Sequence, residues 1–219
     1  AFAGIESAYV SCVYNPKAES AEKFAIQHRI ENYTDSLEEL TMLTDAVYIA
    51  SLHETHYEYA KYMLNNKKHV LCEKPAVLKK AQAEELYSLA KENNVVFMEA
   101  VKTAYCPGFH AMMAAAKSGK IGRIIDVEAA FSRLTPVNTR EYMAQDYNGS
   151  FLEFGSYVCM PVFELLGCDY DDVRFHSMRA VNGVDAYTKA VFSFGGKSAE
   201  VKTGLGVKTE GQLLISGTN

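Results

Sequence analysis

No stretch of this 219-residue chain approaches the ~20 consecutive apolar residues that a membrane-spanning helix needs. The opening residues Ala1-Phe2-Ala3-Gly4-Ile5-Glu6 have neither a basic start nor a long apolar core, so no signal peptide is visible. Lys and Arg form no cluster, and the net charge of −5 argues against a nucleic-acid partner. The five cysteines (Cys12, Cys72, Cys106, Cys159 and Cys168) are odd in number, scattered and free of any CxxC pair. They read as reduced thiols in a cytoplasmic protein, mostly buried as small hydrophobes. A metal centre is not expected either. His53-Glu54-Thr55-His56 is not an HExxH motif, and no cysteines gather beside it. A glycine-rich GxGxxG phosphate loop is also missing. The chain stops at Gly217-Thr218-Asn219 directly after a strand pattern, so both ends read as incomplete.

What is present is ordinary globular material. Apolar residues make up 48% and charged residues 22%, and the length suits one large domain or two smaller ones. The first half alternates strand and helix signals. Strands are expected at Ala8–Tyr14, Ala46–Ala50 (buried), Val70–Cys72 and Val95–Met98. Between them lie a helix through Ala21, Phe24 and Ala25, started by Asn15-Pro16, and a second start at Asp35-Ser36 with Leu37, Leu40 and Leu43 at helical spacing. A helix over Tyr57–Leu64 ends at Asn65-Asn66. An amphipathic helix over Lys79–Glu92, with Leu86, Leu89 and Ala90 inward, closes at Asn93-Asn94. Short apolar strands separated by helices mean a doubly wound parallel sheet covered on both faces.

The second half differs. A helix from about Gly108 to Lys117 and a strand over Ile124–Arg133 precede a helix over Ser150–Leu166 that ends at Gly167. Then come strands near 173–181, 187–194, 198–207 and 211–216, joined by turns rich in Gly, Asp and Asn. Consecutive strands without helices predict an open, mostly antiparallel sheet in an α+β domain. The change of pattern divides the chain into residues 1–104 and 105–219.

One segment carries most of the chemistry. His69-Val-Leu-Cys-Glu-Lys-Pro75 is a short apolar strand that ends in a carboxylate, an amine and a proline. Ligands of alternating strand–helix folds sit at the carboxyl ends of strands. Pro75 fixes its own φ and keeps Lys74 out of the helical region, so the backbone that aims the lysine is stiff. Two readings of Glu73 and Lys74 stand open on these residues alone, a surface ion pair and a functional amine.

This segment resembles the HVxxEKP signature of the Gfo/Idh/MocA oxidoreductases (glucose–fructose oxidoreductase, inositol dehydrogenase and relatives). Val47–His56 resembles the family's VxIxTPNxxH segment, and Met98–Pro107 the MEAxxxxxxP segment of its dihydrodiol-dehydrogenase branch. Gly119-Lys-Ile-Gly122 fits its GxIG turn, and Asn148–Tyr157 its GGxxxDxGxY/H segment. All five occur in family order and cover the chain from about Val10 onward. The resemblance implies a Rossmann domain that binds NAD or NADP, then an α/β domain whose open sheet often forms a dimer face. It implies hydride exchange with a hydroxyl or carbonyl carbon of a sugar, inositol, polyol or dihydrodiol. It also implies that the first strand and glycine loop precede residue 1, with Ala1–Ser7 the tail of the first helix or its loop.

Residue by residue, Lys74 matches the family's catalytic lysine, able to exchange the hydroxyl proton and stabilise developing charge on oxygen. Tyr157 matches the His/Tyr position one turn after an acid, here Glu153 where the family has Asp, so both share a helix face. Tyr157 also reads as a core tyrosine with its hydroxyl satisfied. The expected cofactor wall is Asn15, Ser51, Leu52, His53, His56, Glu73 and Lys74, with His56 opening a helix whose amides favour phosphate. Asn15 replaces both the acid that reads an NAD ribose and the arginine that reads an NADP phosphate; Lys17 is within reach of a 2′-phosphate or is a solvated charge. Lys102 and Tyr105 are candidate substrate contacts, Lys102 and Ala104 standing where the branch has Trp and Arg. Against the enzyme stands a cofactor- or sugar-binding homologue acting as a sensor or structural partner.

Overall fold

The computed structural model describes residues 5–143 and 146–219. The chain divides into two compact units, Ala1–Glu99 and Ala100–Asn219. That break precedes the 104/105 division read from the sequence. The intervening 3-10 helix Lys102–Tyr105 packs on the helix that follows it.

In the first unit strands and helices alternate: β1 (Cys12–Tyr14), α1 (Ala18–His28), β2 (Asn32–Thr34), α2 (Leu37–Leu43), β3 (Ala46–Ile49), α3 (His53–Asn65), β4 (His69–Cys72), α4 (Lys80–Glu92) and β5 (Phe97–Glu99). All strand pairs are parallel. They form two pieces, β1-β2 and β3-β4-β5. The core joins Ile49, Val70, Cys72 and Phe97 of the sheet to Ala60, Met63 and Leu64 of α3 and Leu86 and Ala90 of α4.

Several sequence readings need correction. The first strand covers Cys12–Tyr14 rather than Ala8–Tyr14, and α1 starts at Ala18 after Lys17 rather than at Asn15-Pro16. β2 was not anticipated; it has no apolar run and is recognised only by its pairing with β1. β3 is not a fully buried strand. Ala46 and Tyr48 are exposed, because β3 is an edge of its three-stranded piece. Helix α3 begins at His53 rather than Tyr57. The first four residues of the expected Ala1–Ser7 segment lie outside the described residues.

In the second unit α5 (Pro107–Lys117), β6 (Ile124–Ser132), the 3-10 helix Arg140–Tyr142 and α6 (Ser150–Leu166) precede β7 (Asp172–Arg179), β8 (Asp185–Phe194), β9 (Lys197–Gly204) and β10 (Gln212–Gly217). The five strands form one sheet in the order β10-β6-β9-β8-β7. Every pair is antiparallel except β6 with β9. Helix α6 covers one face, burying Val158 and Val162 against Val127, Ala190, Phe192, Ala199 and Val201. Pro161 lies inside α6 and removes the amide that the Tyr157 carbonyl would accept within the helix.

The start of α6 is fixed by a buried polar knot. Asp185 Oδ2 accepts from Ser150 Oγ (2.6 Å), the Phe151 amide (3.0 Å) and Thr188 Oγ1 (2.7 Å). A carboxylate there satisfies an otherwise orphaned amide and complements the helix dipole. Gly149 precedes it at φ 127°, where a Cβ would lie 1.9 Å from Asp185 Oδ1, so only glycine fits.

Candidate functional site

The carboxyl ends of β3 and β4 lie side by side, because these two strands pair in parallel. Asn15 follows β1, Ser51-Leu52-His53 follows β3, and Glu73-Lys74 follows β4. Ser51-Leu52-His53 and Glu73-Lys74 thus follow neighbouring strand ends, the position at which α/β sheets bind ligands, while Asn15 follows a strand of the other sheet piece. Asn15 is half-buried, and its Oδ1 accepts from the Lys17 amide (2.9 Å). Ser51 Oγ accepts from Thr55 Oγ1 (2.6 Å), and Leu52 is exposed at the cap of α3 without a capping side chain. His53 is buried in the first turn of α3 and stacks edge-on with His56.

His56 is placed differently from the sequence expectation. It lies in the second turn of α3, is 0% exposed, and has both ring nitrogens against backbone carbonyls. It is remote from the helix-opening amides in register, and no ring edge reaches solvent.

The turn after β4 is tightly held. Lys74 is only 8% exposed, and the Lys74-Pro75 bond is cis. Glu73 N donates to Ile49 O (2.8 Å), extending the β3–β4 ladder past its last paired residue. Tyr48 OH donates to Glu73 Oε1, and the Lys74 amide donates to Glu73 Oε2 (3.3 Å). Ala76 N donates to Glu99 Oε1 (3.1 Å), which ties the turn to the end of β5. Cys72, one residue before Glu73, reports the field. Burial, then the charges of Glu99 and Glu73, push its thiol up to about 12.

In the second unit Glu153 and Tyr157 occupy successive turns of α6. Glu153 is buried; Tyr157 is half-buried and packs edge-on against Phe131, which also meets Phe154. Lys102 and Tyr105 are exposed on their 3-10 helix.

Around Glu153 lies a charge cluster that the sequence reading did not include. Arg140 Nη2 is 3.8 Å from Glu153 Oε2, and Arg133 Nη2 is 3.2 Å from Glu141 Oε1. Burial pushes the Glu141 carboxyl up. Its own backbone, Thr139, Arg140 and Arg133 outweigh that effect and hold it below the ordinary carboxylate range. Arg133 also stacks on Phe154. These residues sit in an irregular connection where no periodicity announces a pairing.

Among the described residues no three His, Cys, Asp or Glu side chains gather as metal ligands would, and no helix is long and apolar enough to cross a membrane.

Comparison with known proteins agrees with this architecture. Residues 3–101 match an oxidoreductase family with an NAD-binding Rossmann fold. A scyllo-inositol 2-dehydrogenase (NADP(+)), IolU, of Bacillus subtilis (strain 168) is 34% identical over 209 residues, 90% of this chain and 62% of its own length. A trans-1,2-dihydrobenzene-1,2-diol dehydrogenase of Xenopus laevis is 28% identical over 207 residues, 91% of this chain and 62% of its own. The structure of GenD2 from gentamicin A biosynthesis, in complex with NAD, superposes with a TM-score of 0.86 at 20% identity over 96% of this chain and 63% of that one. That last likeness is one of fold. The chain thus spans about 62% of the length of these curated relatives. The parallel strands of the first unit accord with that match, and residues 3–101 are similar to the Gfo/Idh/MocA oxidoreductase family.

Proposed function

We propose that the whole protein is an NAD(P)-dependent oxidoreductase acting on the CH–OH group of an inositol, sugar, other polyol or dihydrodiol. The observation that carries this reading is the buried Lys74, held on a turn tied to β3, α3 and β5 at the ligand-binding edge of the sheet. The activities named for the inositol and dihydrodiol dehydrogenases above support the substrate class.

The residues present fit a nicotinamide dinucleotide. Asn15 and Ser51–His53 supply polar atoms after β1 and β3, and α3 opens at His53 with first-turn amides. When bound, the nicotinamide supplies or accepts the hydride. Lys74 exchanges the proton of the substrate hydroxyl and stabilises charge developing on its oxygen. Tyr157 and Glu153 hold substrate hydroxyls, Tyr157 as a phenol donor, and Lys102 and Tyr105 contribute further contacts.

The test is turnover of the whole protein, with NAD+ and NADP+ screened against inositols, sugars and vicinal diols. Lys74→Ala is expected to cost about 10²-fold or more in kcat with the fold intact. Near-normal turnover in that variant removes Lys74 from the mechanism, and binding without turnover in the parent protein leaves the sensor reading in its place. The protein acts in the cytoplasm as a homodimer through its open second sheet; a monomeric sedimentation profile at micromolar concentration contradicts the dimer.

A further inference from the structure

His56 has no free ring nitrogen for a ligand. Nδ1 lies 2.9 Å from the Pro75 carbonyl oxygen, and Nε2 lies 3.2 Å from the Ser51 carbonyl oxygen. Its side chain is 0% exposed, so no cofactor atom can touch it without rearrangement of α3. We propose that His56 is a positioning residue, which clamps the turn bearing Lys74 to the loop leaving β3 and affects turnover only through the Lys74 amine. This inference rests on the reading of Lys74 as the proton-exchanging group.

The argument comes from how the turn is anchored. Residue 73 is held by β3 through its amide, and residue 76 by β5 through the Glu99 carboxylate. Between them Pro75 has no N–H, so its carbonyl is its only backbone hydrogen-bonding group. His56 takes that carbonyl. Lys74 therefore lies between two anchored neighbours, and one of the two anchors nearest to it is an imidazole from α3. A neutral ring carries one N–H, and the shorter contact, to Pro75, is the one that bears on the turn. Since Lys74 is itself packed, a backbone shift at Pro75 reaches its amine rather than being absorbed by a loose side chain. A misplacement of about 1 Å at a reacting group costs up to ~10²-fold in rate.

The test compares His56→Phe, which keeps a ring and removes both nitrogens, with His56→Gln, which keeps one donor. Each is made in the whole protein and in the Lys74→Ala background. Thermal melting first establishes which variants fold. If His56→Phe does not, His56→Gln carries the test. In the parent background kcat is expected to fall roughly 10-fold or more for Phe and less for Gln, with the cofactor KM changed by under about threefold. In the Lys74→Ala background the same substitutions should cost nothing further, because the group they position is gone. An equal fold-loss in both backgrounds, or a folded His56→Phe enzyme within twofold of normal kcat, overturns the clamp while leaving Lys74 in place. Near-normal turnover of Lys74→Ala alone overturns the reading beneath it.

Discussion

Asp185→Ala removes the acceptor on which the start of α6 depends. Ser150 Oγ keeps a second contact, with Thr203 Oγ1 at 2.9 Å, and Thr188 Oγ1 keeps Ser177 Oγ at 2.9 Å. The Phe151 amide has no such replacement. Leaving that amide unpaired costs about 1–3 kcal/mol, losing a negative charge at the helix N-terminus about 0.3–1 kcal/mol, and weakening two hydroxyl bonds about 1 kcal/mol together. The sum is about 3 kcal/mol. For a cooperative unit spanning Ala100–Asn219 this lowers the melting temperature by roughly 10 °C. Gly149→Ala should cost a similar amount by another route. Backbone at φ 127° strains any side chain by about 1–3 kcal/mol, and the new Cβ displaces Asp185 Oδ1 from 1.9 Å. The displacement is absent once Asp185 is alanine. The double variant is therefore expected to be more stable than the sum of the singles by about 1 kcal/mol or more. Urea titrations of the four proteins measure this directly. Additivity within about 0.5 kcal/mol, or an Asp185→Ala cost below about 1 kcal/mol, refutes the knot as the anchor of α6.

Two further outcomes are expected. A thiol reagent at pH 8 should label Cys106 and Cys168, which are exposed, far faster than Cys72 and Cys159, whose thiols burial pushes up to about 12; rapid labelling of Cys72 contradicts its burial. On the first unit, Glu85 joins Lys61 at 2.6 Å and accepts from Tyr57, and these hydrogen bonds hold its carboxyl below the ordinary range. A depressed folded value adds stability above the unfolded pKa of about 4.3, lost as pH falls through the folded value. Denaturation midpoints of the parent and Glu85→Gln should therefore converge on the acid side and separate above it; parallel curves show that the bridge adds nothing.

The legible parts of this chain were those with local signals. Helix α4 was read nearly to its ends because Leu86 and Ala90 recur at helical spacing before Asn93-Asn94, and α6 because Gly167 closes it. The Glu-Lys-Pro turn could be placed because proline restricts its neighbour wherever the rest of the chain goes. The rest depends on tertiary pairing. β2 is three polar or aromatic residues that become a strand only beside β1. The start of α3 was set too late because its cap, Leu52, makes no side-chain capping bond and so gives no signal. That error put His56 at the opening of a helix. Its ring nitrogens lie instead against the carbonyls of Ser51 and Pro75, five and nineteen positions away. Arg133, Arg140 and Glu141 were missed because charges in an irregular connection show no partner until the chain is folded.

Strand β6 stands between β9 and β10 in the sheet but precedes both in the chain. Asp126 meets its neighbour Ser198 only 72 residues later. On a ribosome adding roughly 5–20 residues per second, β6 spends seconds with both backbone edges bare, beside α6 alone. Its run Ile-Ile-Asp-Val-Glu-Ala-Ala-Phe would be an invitation to pair with the same strand of another nascent chain, were it not for Asp126 and Glu128. Those carboxylates repel identical copies laid side by side, and so act as gatekeepers during synthesis before the finished sheet gives them partners.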